Sequence, residues 1–348
     1  MSRTIRDLGF KPGRLPTGER NSITDVPGVR VGNYTVNDDL HHTGVTVIIP
    51  RDDIYYHKCV AACHVINGFG KTAGLVQVEE LGTLETPIVL TNTLNVGLMQ
   101  DAVVQYTLDR CAEQGKTVRS INPVVGECND GTLSRIQDRI LGINELYAAI
   151  NTAGTQFEQG CAGAGTGMIC HGLKGGIGSA GRIVRYKDAE YTIGVLTLCN
   201  HGRLDELNIL GVKPGAEIER RLRERGEECD KGSCIIVVAT DLPVSSRQLK
   251  RIIRRTEAGL ARVGSYYGHG SGDIAIGFTT AFDIPDETTD TSATYELLHE
   301  SRLENAFAAC AEATEEAVLN ALAAAETFTG YTGKTRHALS EFADIISL

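Results

Sequence analysis

Residues 234–239, Cys-Ile-Ile-Val-Val-Ala, form an unbroken apolar run rich in β-branched side chains. Such a run reads as a buried strand. A buried strand needs cover on both faces, so the chain is committed to a layered fold. In front of the run stands Asp230-Lys231-Gly232-Ser233, a charged loop with a flexible glycine. Ser233 therefore sits at the mouth of the strand. A small nucleophile directly after glycine, at the start of a buried strand, is what a self-cleaving amidohydrolase needs. The hydroxyl can attack the carbonyl behind it, and hydrolysis leaves Ser233 as a new N-terminus whose amine serves as base. The same dipeptide also reads as an ordinary loop serine ahead of a core strand.

Composition narrows the partners. The chain has 348 residues, enough for one large domain or two ordinary ones. A net charge of −10 argues against nucleic acid and anionic membranes. No run reaches the roughly 18 apolar residues of a membrane span, and the polar start of the chain has no secretory h-region. The ten cysteines are scattered and lack CxxC or Cys/His zinc spacing. They read as reduced core thiols of a cytoplasmic protein, with no metal and no cofactor. His41-His42 reads as part of a polar loop.

Elements follow from periodicity. Residues 44–49, 60–65, 87–90, 274–279 and the region before Asn129 read as strands, and residues 182–184 and 191–198 as a hairpin pair. Helical spacing covers residues 95–111, 138–150 and about 301–325, and a helix could open between 72 and 81. Ser245 with Gln248 forms a capping box for one helix that ends at Gly264. The glycines of 160–167 and 172–181 do not fit a phosphate loop or a dinucleotide fingerprint. They predict close backbone packing instead. Residues 203–231, dense in mixed charge, predict a solvated segment.

Three strand ends offer small polar groups: Asn200, Ser233 and the pair Ser271 and Asp273. Neighbouring strand ends converge in a layered α/β sandwich. Ser271 would then orient the Ser233 hydroxyl, Asp273 would hold Ser271 or the ammonium, and Asn200 would donate to an oxyanion. Taken singly, Asn200 also reads as a turn closer, Asp273 as a strand cap and Ser271 as loop filler.

Several long motifs stand in order: NSITDVPGVRVG at 21–32, the segment 67–97 opening NGFGKTAG, PVVGECNDG at 123–131, GAGTGM, GLKGGIGSAGR, GSCIIVVATDLP and GHGSGD. Together they resemble the DmpA/BapA-type aminopeptidases, the L-aminopeptidase/D-esterase and β-peptidyl aminopeptidase group of N-terminal-nucleophile-like hydrolases. The resemblance implies a single αββα sandwich over 1–348, like that of ornithine acetyltransferases. It implies cleavage between Gly232 and Ser233 into chains 1–232 and 233–348, with Ser233 as nucleophile. Ser271, Asp273 and Asn200 take the roles above. Glu127 becomes the holder of the substrate amine. Asn129 stands where some members carry a tyrosine, and His201 stands where an aromatic is frequent. A tetramer of cleaved units, no metal and no cofactor are expected. The competing functions are an acyltransferase of the ornithine acetyltransferase type, an endo-type oligoamide hydrolase and a ligand-binding module built on the glycines.

Overall fold

The computed structural model describes residues 2–187, 189–223 and 232–346. The strands that build it are β1 (Arg30–Asn37), β2 (His42–Ile49), β3 (His57–Gly68), β4 (Thr83–Leu84), β5 (Ile88–Asn92) and β6 (Val124–Cys128). They continue as β7 (Ile169–Cys170), β8 (Leu173–Lys174), β9 (Gly176–Tyr186), β10 (Ala189–Asn200), β11 (Ser233–Thr240) and β12 (Gly272–Pro285). The helices are α1 (Leu75–Leu81), α2 (Val96–Glu113), α3 (Ile143–Asn151), α4 (Gly215–Leu222), α5 (Ser246–Ile253), α6 (Thr256–Val263), α7 (Glu304–Ala324) and α8 (Ala343–Ile346).

Two mixed sheets carry the fold. One runs β1-β2-β5-β6 and the other β4-β3-β12-β11-β10-β9. Ile48, Leu90, Val124, Ile235, Val237 and Ile276 fill the space between them. Val47, Val89 and Val125 face outward on the small sheet and meet Met99, Val103 and Leu146 of α2 and α3. Ile236, Val238 and Ala275 face outward on the large sheet and meet Leu249, Leu260 and Val318 of α5, α6 and α7. The result is the expected αββα order of layers. The run from Cys234 to Ala239 is apolar throughout because β11 lies inside the large sheet with both faces covered. Each such fully buried Ile or Val contributes roughly 1.5–3 kcal/mol.

The glycines pack backbones together, as their density predicts. An added Cβ at Gly178 would come within 1.9 Å of the Ala317 carbonyl oxygen, so β9 lies directly on α7.

Helix α7 departs from the one-sided pattern of its sequence. Glu312, Glu315 and Glu316 are buried along with its apolar residues. The cause is Arg182 of β9, itself fully buried. Its guanidinium donates to Glu312 at 3.2 Å and to Glu316 at 2.5 Å, and to the Pro12 carbonyl at 2.8 Å. Arg6 adds a second cation on Glu316.

Other boundaries move for local reasons. The helix expected from Ser245 to Gly264 is two helices. The Thr256 hydroxyl donates to the Ile253 carbonyl at 2.7 Å and takes up the end of α5. The capping box itself is formed, with Ser245 N–H donating to Gln248 at 3.0 Å. The helix expected over 138–150 begins at Ile143, because Glu145 caps the Gly142 N–H at 2.8 Å and Arg139 turns the chain with φ of 50°. The strand expected over 274–279 runs on to Pro285, and α1 opens only after Gly74. His42 is not loop but the buried first residue of β2. In the charged segment 203–231, Leu204, Leu207, Ile209 and Ile218 are core residues. Residues 224–231, including Asp230 and Lys231 of the opening motif, lie outside the described residues.

Candidate active site

Three strand ends meet at one edge of the large sheet. Antiparallel pairing sets Asn200, the last residue of β10, opposite Ser233, the first of β11. Parallel pairing sets Ser233 beside Gly272, the first residue of β12, and Cys234 beside Asp273. On the far side Gly272 pairs with Gly68 of β3. Directly opposed residues in a sheet bring their Cβ atoms to about 4.5–5.5 Å. The fold therefore sets Asn200 opposite Ser233, and it places Ser271 and Asp273 on either side of Gly272, the register partner of Ser233. All four are buried.

Gly232 explains itself at this edge. Its carbonyl accepts a hydrogen bond from the Gly272 N–H at 3.2 Å. An added Cβ would lie 1.9 Å from the Asn200 carbonyl oxygen and 2.4 Å from His201 Cα. Both atoms are backbone and cannot swing away. Only glycine fits, and its carbonyl is polarised by a fixed donor next to the Ser233 hydroxyl.

Asn200 is oriented by its neighbour. The Ile169 N–H donates to Asn200 Oδ1 at 2.8 Å. An N–H can only donate, so the atom facing it is the oxygen, and the Nδ2 amide is left as a donor.

Ser271 is held through its backbone. Its N–H donates to the Gly268 carbonyl at 2.8 Å, and its carbonyl accepts from the Phe69 N–H at 3.3 Å and from the Asn67 side chain. Its hydroxyl is buried with no hydrogen-bond partner among the described residues. Asp273 shares a register position with Cys234 on the neighbouring strand.

The small sheet supplies the opposite wall. Cys128 Sγ lies 3.3 Å from the Ser233 carbonyl oxygen and 3.4 Å from that of Leu198. This contact places the end of β6 over the start of β11. Glu127, the residue before it, is buried. Its carboxylate accepts from the Lys71 N–H at 2.8 Å and from the Thr93 hydroxyl. Burial pushes its pKa above the ordinary carboxylate value, against the opposing pull of Thr93 and Lys71.

Asn129 stands apart from these. It is exposed, and its Oδ1 accepts from the Gly131 N–H at 3.0 Å in a local turn. The side chain is used to shape the loop after β6. Along the rim, the Lys71 ammonium sits 4.5 Å over the Phe69 ring, whose centroid is 6.2 Å from that of His269.

Sequence reasoning missed three features here. The Gly272 N–H is a backbone group and has no sequence signal beyond its glycine. Asp130 is fully buried near Thr43 and Asn92, and burial pushes its carboxyl up to about 7. Its polar setting in CNDG gave no hint of that depth. Finally, Cys170, His171, Cys199, His201 and Cys234 gather behind the nucleophile edge. Their sequence spacing fits no metal motif because three separate strands and the turns after them bring them together.

The profile of peptidase family S58 matches residues 21–336. The β-peptidyl aminopeptidase BapA of Sphingosinicella xenopeptidilytica is 37% identical over 346 residues, covering 93% of this chain and 86% of that protein. The crystal structure of the PH0078 protein from Pyrococcus horikoshii OT3 superposes with a TM-score of 0.92 at 41% identity, covering 99% of this chain and 98% of the other. The L-aminopeptidase D-Ala-esterase/amidase of Ochrobactrum anthropi, described as a prototype serine aminopeptidase with a variant of the Ntn hydrolase fold, gives 0.90 at 34% identity over 98% and 96% of the two chains. With its layered fold, its matched length and the serine at the centre of its strand edge, the chain belongs to peptidase family S58 and is an aminopeptidase.

Proposed function

We propose that this chain cuts itself between Gly232 and Ser233 and then uses the new terminal serine to release N-terminal residues from short peptides, amides and esters. The carrying observation is the Gly232 carbonyl, held by the Gly272 N–H at the start of β11 opposite Asn200. In the first step Ser233 Oγ bonds to the Gly232 carbonyl carbon. The C–N bond breaks, and the hydroxyl proton goes to the departing amine. Water then hydrolyses the ester to a Gly232 carboxylate and a free Ser233.

In turnover the Ser233 amine, with a reference pKa of about 7.7–8.0, takes the hydroxyl proton as Oγ attacks the substrate carbonyl. Ser271 and Asp273 orient that pair. Asn200 Nδ2 donates to the oxyanion, a group of the kind worth roughly 10²–10³ in rate. The leaving amine receives the proton, and water releases the acyl group. Glu127 holds the substrate ammonium.

Names of the relatives point to β-aminoacyl or L-aminoacyl groups at the substrate's free end. Exposed Val76, Leu81 and Val65 on and beside α1 favour self-association, which the family resemblance makes a tetramer. The free thiols favour a reducing, cytoplasmic setting. Among the described residues no helix is long and apolar enough to cross a membrane.

The test is mass spectrometry of wild type and Ser233→Ala, paired with β-, L- and D-aminoacyl p-nitroanilides. Two fragments and turnover are expected of wild type, and neither of the variant. A fully active single chain of 37.4 kDa would refute the mechanism. Acetyl transfer from acetyl-ornithine to glutamate, without amide hydrolysis, would favour the acyltransferase instead.

A further inference from the structure

Directly behind the strand edge lies a second set of chemically capable side chains. Cys199 and Cys234 face each other across β10 and β11, one position in from Asn200 and Ser233. Side chains alternate along a strand, so this pair points to the opposite face of the sheet. The ligand atoms of Cys199, His201 and Cys234 all lie within 4.8 Å of one another, and so do those of Cys170, His171 and His201. The Cys199 thiol also reaches both the Cys170 and the Cys234 thiols. All five residues are buried.

Two observations about the histidines point to a cation. Neither ring nitrogen of His201 has a hydrogen-bond partner among the described residues. A buried polar group left alone costs about 1–3 kcal/mol. His171 is already oriented, because its Nδ1 meets the Arg203 carbonyl at 2.8 Å. A carbonyl only accepts, so Nδ1 carries the proton and Nε2 carries the lone pair. Metal-binding histidines are held in this way by their second nitrogen.

We propose that this cluster binds one thiophilic d10 cation, zinc(II) foremost, through Cys199, Cys234, His201 and a fourth donor from Cys170 and His171. A tetrahedral zinc with Zn–S of about 2.3 Å brings two sulfurs to about 3.8 Å apart. The 4.8 Å limit on the present separations is met with small side-chain rotations. The ligands come from the ends of β7, β10 and β11, so the ion fixes the three backbones that carry Ile169, Asn200 and Ser233. On the self-cleavage reading given above, Cys234 becomes the second residue of the new chain. The ion then ties the new terminus to the strand carrying the oxyanion donor.

The test uses the full chain, expressed with zinc, desalted and measured for metal by mass spectrometry. One equivalent per chain is expected, retained in Cys63→Ala and lost in Cys199→Ser. Ser233→Ala should keep its metal, so failure of the cleavage mechanism leaves this site standing. Should Cys199→Ser not fold, cobalt(II) titration of reduced, chelator-treated wild type decides the matter alone. Thiolate-to-cobalt charge transfer with intense visible bands is the expected signature. No such bands and no stoichiometric metal would overturn the proposal. So would a wild type two hydrogens lighter than its sequence mass, with the difference reversed by reduction and mapped to a Cys199–Cys234 disulfide.

Discussion

Asn200 and Ser233 are cross-strand partners, the last residue of one strand opposite the first residue of the next. The Ile169 N–H fixes the Asn200 amide so that its oxygen faces away and its nitrogen remains to donate. A donor anchored in this way is in place before any charge develops. Asn200→Ala is expected to lower kcat by roughly 10²–10³ with little change in KM. Steady-state kinetics on a p-nitroanilide checks this. A loss expressed in KM alone would remove Asn200 from the reacting centre.

Gly232 has no room for a side chain against the Asn200 carbonyl. Gly232→Ala must move the backbone and break the Gly272 contact. We expect the uncut precursor to accumulate, seen as one band on a denaturing gel, while wild type gives two.

Glu127 is expected to recognise the substrate's free amine. Glu127→Gln keeps the contacts to Lys71 and Thr93 sterically possible but removes the charge. A hydrogen bond to a charged group is worth about 1.5–3 kcal/mol. KM should rise by roughly 10–150-fold for amine-bearing substrates, with self-cleavage unaffected. Equal losses in cleavage and in turnover would mark a structural role instead.

Arg182 is fully buried against Glu312 and Glu316. Removing one partner of a buried ion pair leaves the other charge uncompensated, at a cost of about 3–5 kcal/mol. Arg182→Ala should lose that much in urea unfolding. A loss below about 1 kcal/mol, the scale of an exposed pair, would mean the carboxylates find water.

Asp130 has its carboxyl raised from 3.8 to about 7 by burial. From pH 4 to 7 the native state holds a proton that the unfolded chain has released. Bound protons are then more numerous in the native state, so stability falls as pH rises through this window. Above pH 7 the loss is complete. At 1.36 kcal/mol per unit, three units amount to about 4 kcal/mol. Asp130→Asn does not titrate. Its thermal midpoint relative to wild type should therefore climb between pH 4 and 7 and then level off.

Much of this was legible in the residues. The apolar run after Ser233 announced its strand, because burial on both faces leaves no polar alternation. Asn200 and Ser233 were legible as polar residues at two strand ends, and the sheet makes them cross-strand partners. The carboxylates of α7 were not legible as buried, because their partner Arg182 lies far away in sequence and only the sheet brings it beneath the helix. The split between α5 and α6 depended on a single hydroxyl bond at Thr256. The gathering of Cys170, Cys199 and Cys234 depended on strand register, which spacing alone does not encode.

The order of strands in the large sheet carries a last consequence. β11 and β12, both downstream of Ser233, are inserted between β3 and β10, which lie upstream. A nick ahead of Ser233 would thus free no surface, since the two pieces interleave like fingers of clasped hands. Neither piece has the complete six-stranded sheet on its own. Made separately, the upstream piece would carry an open slot two strands wide, and the pieces should recover shape and function only when they fold in each other's company.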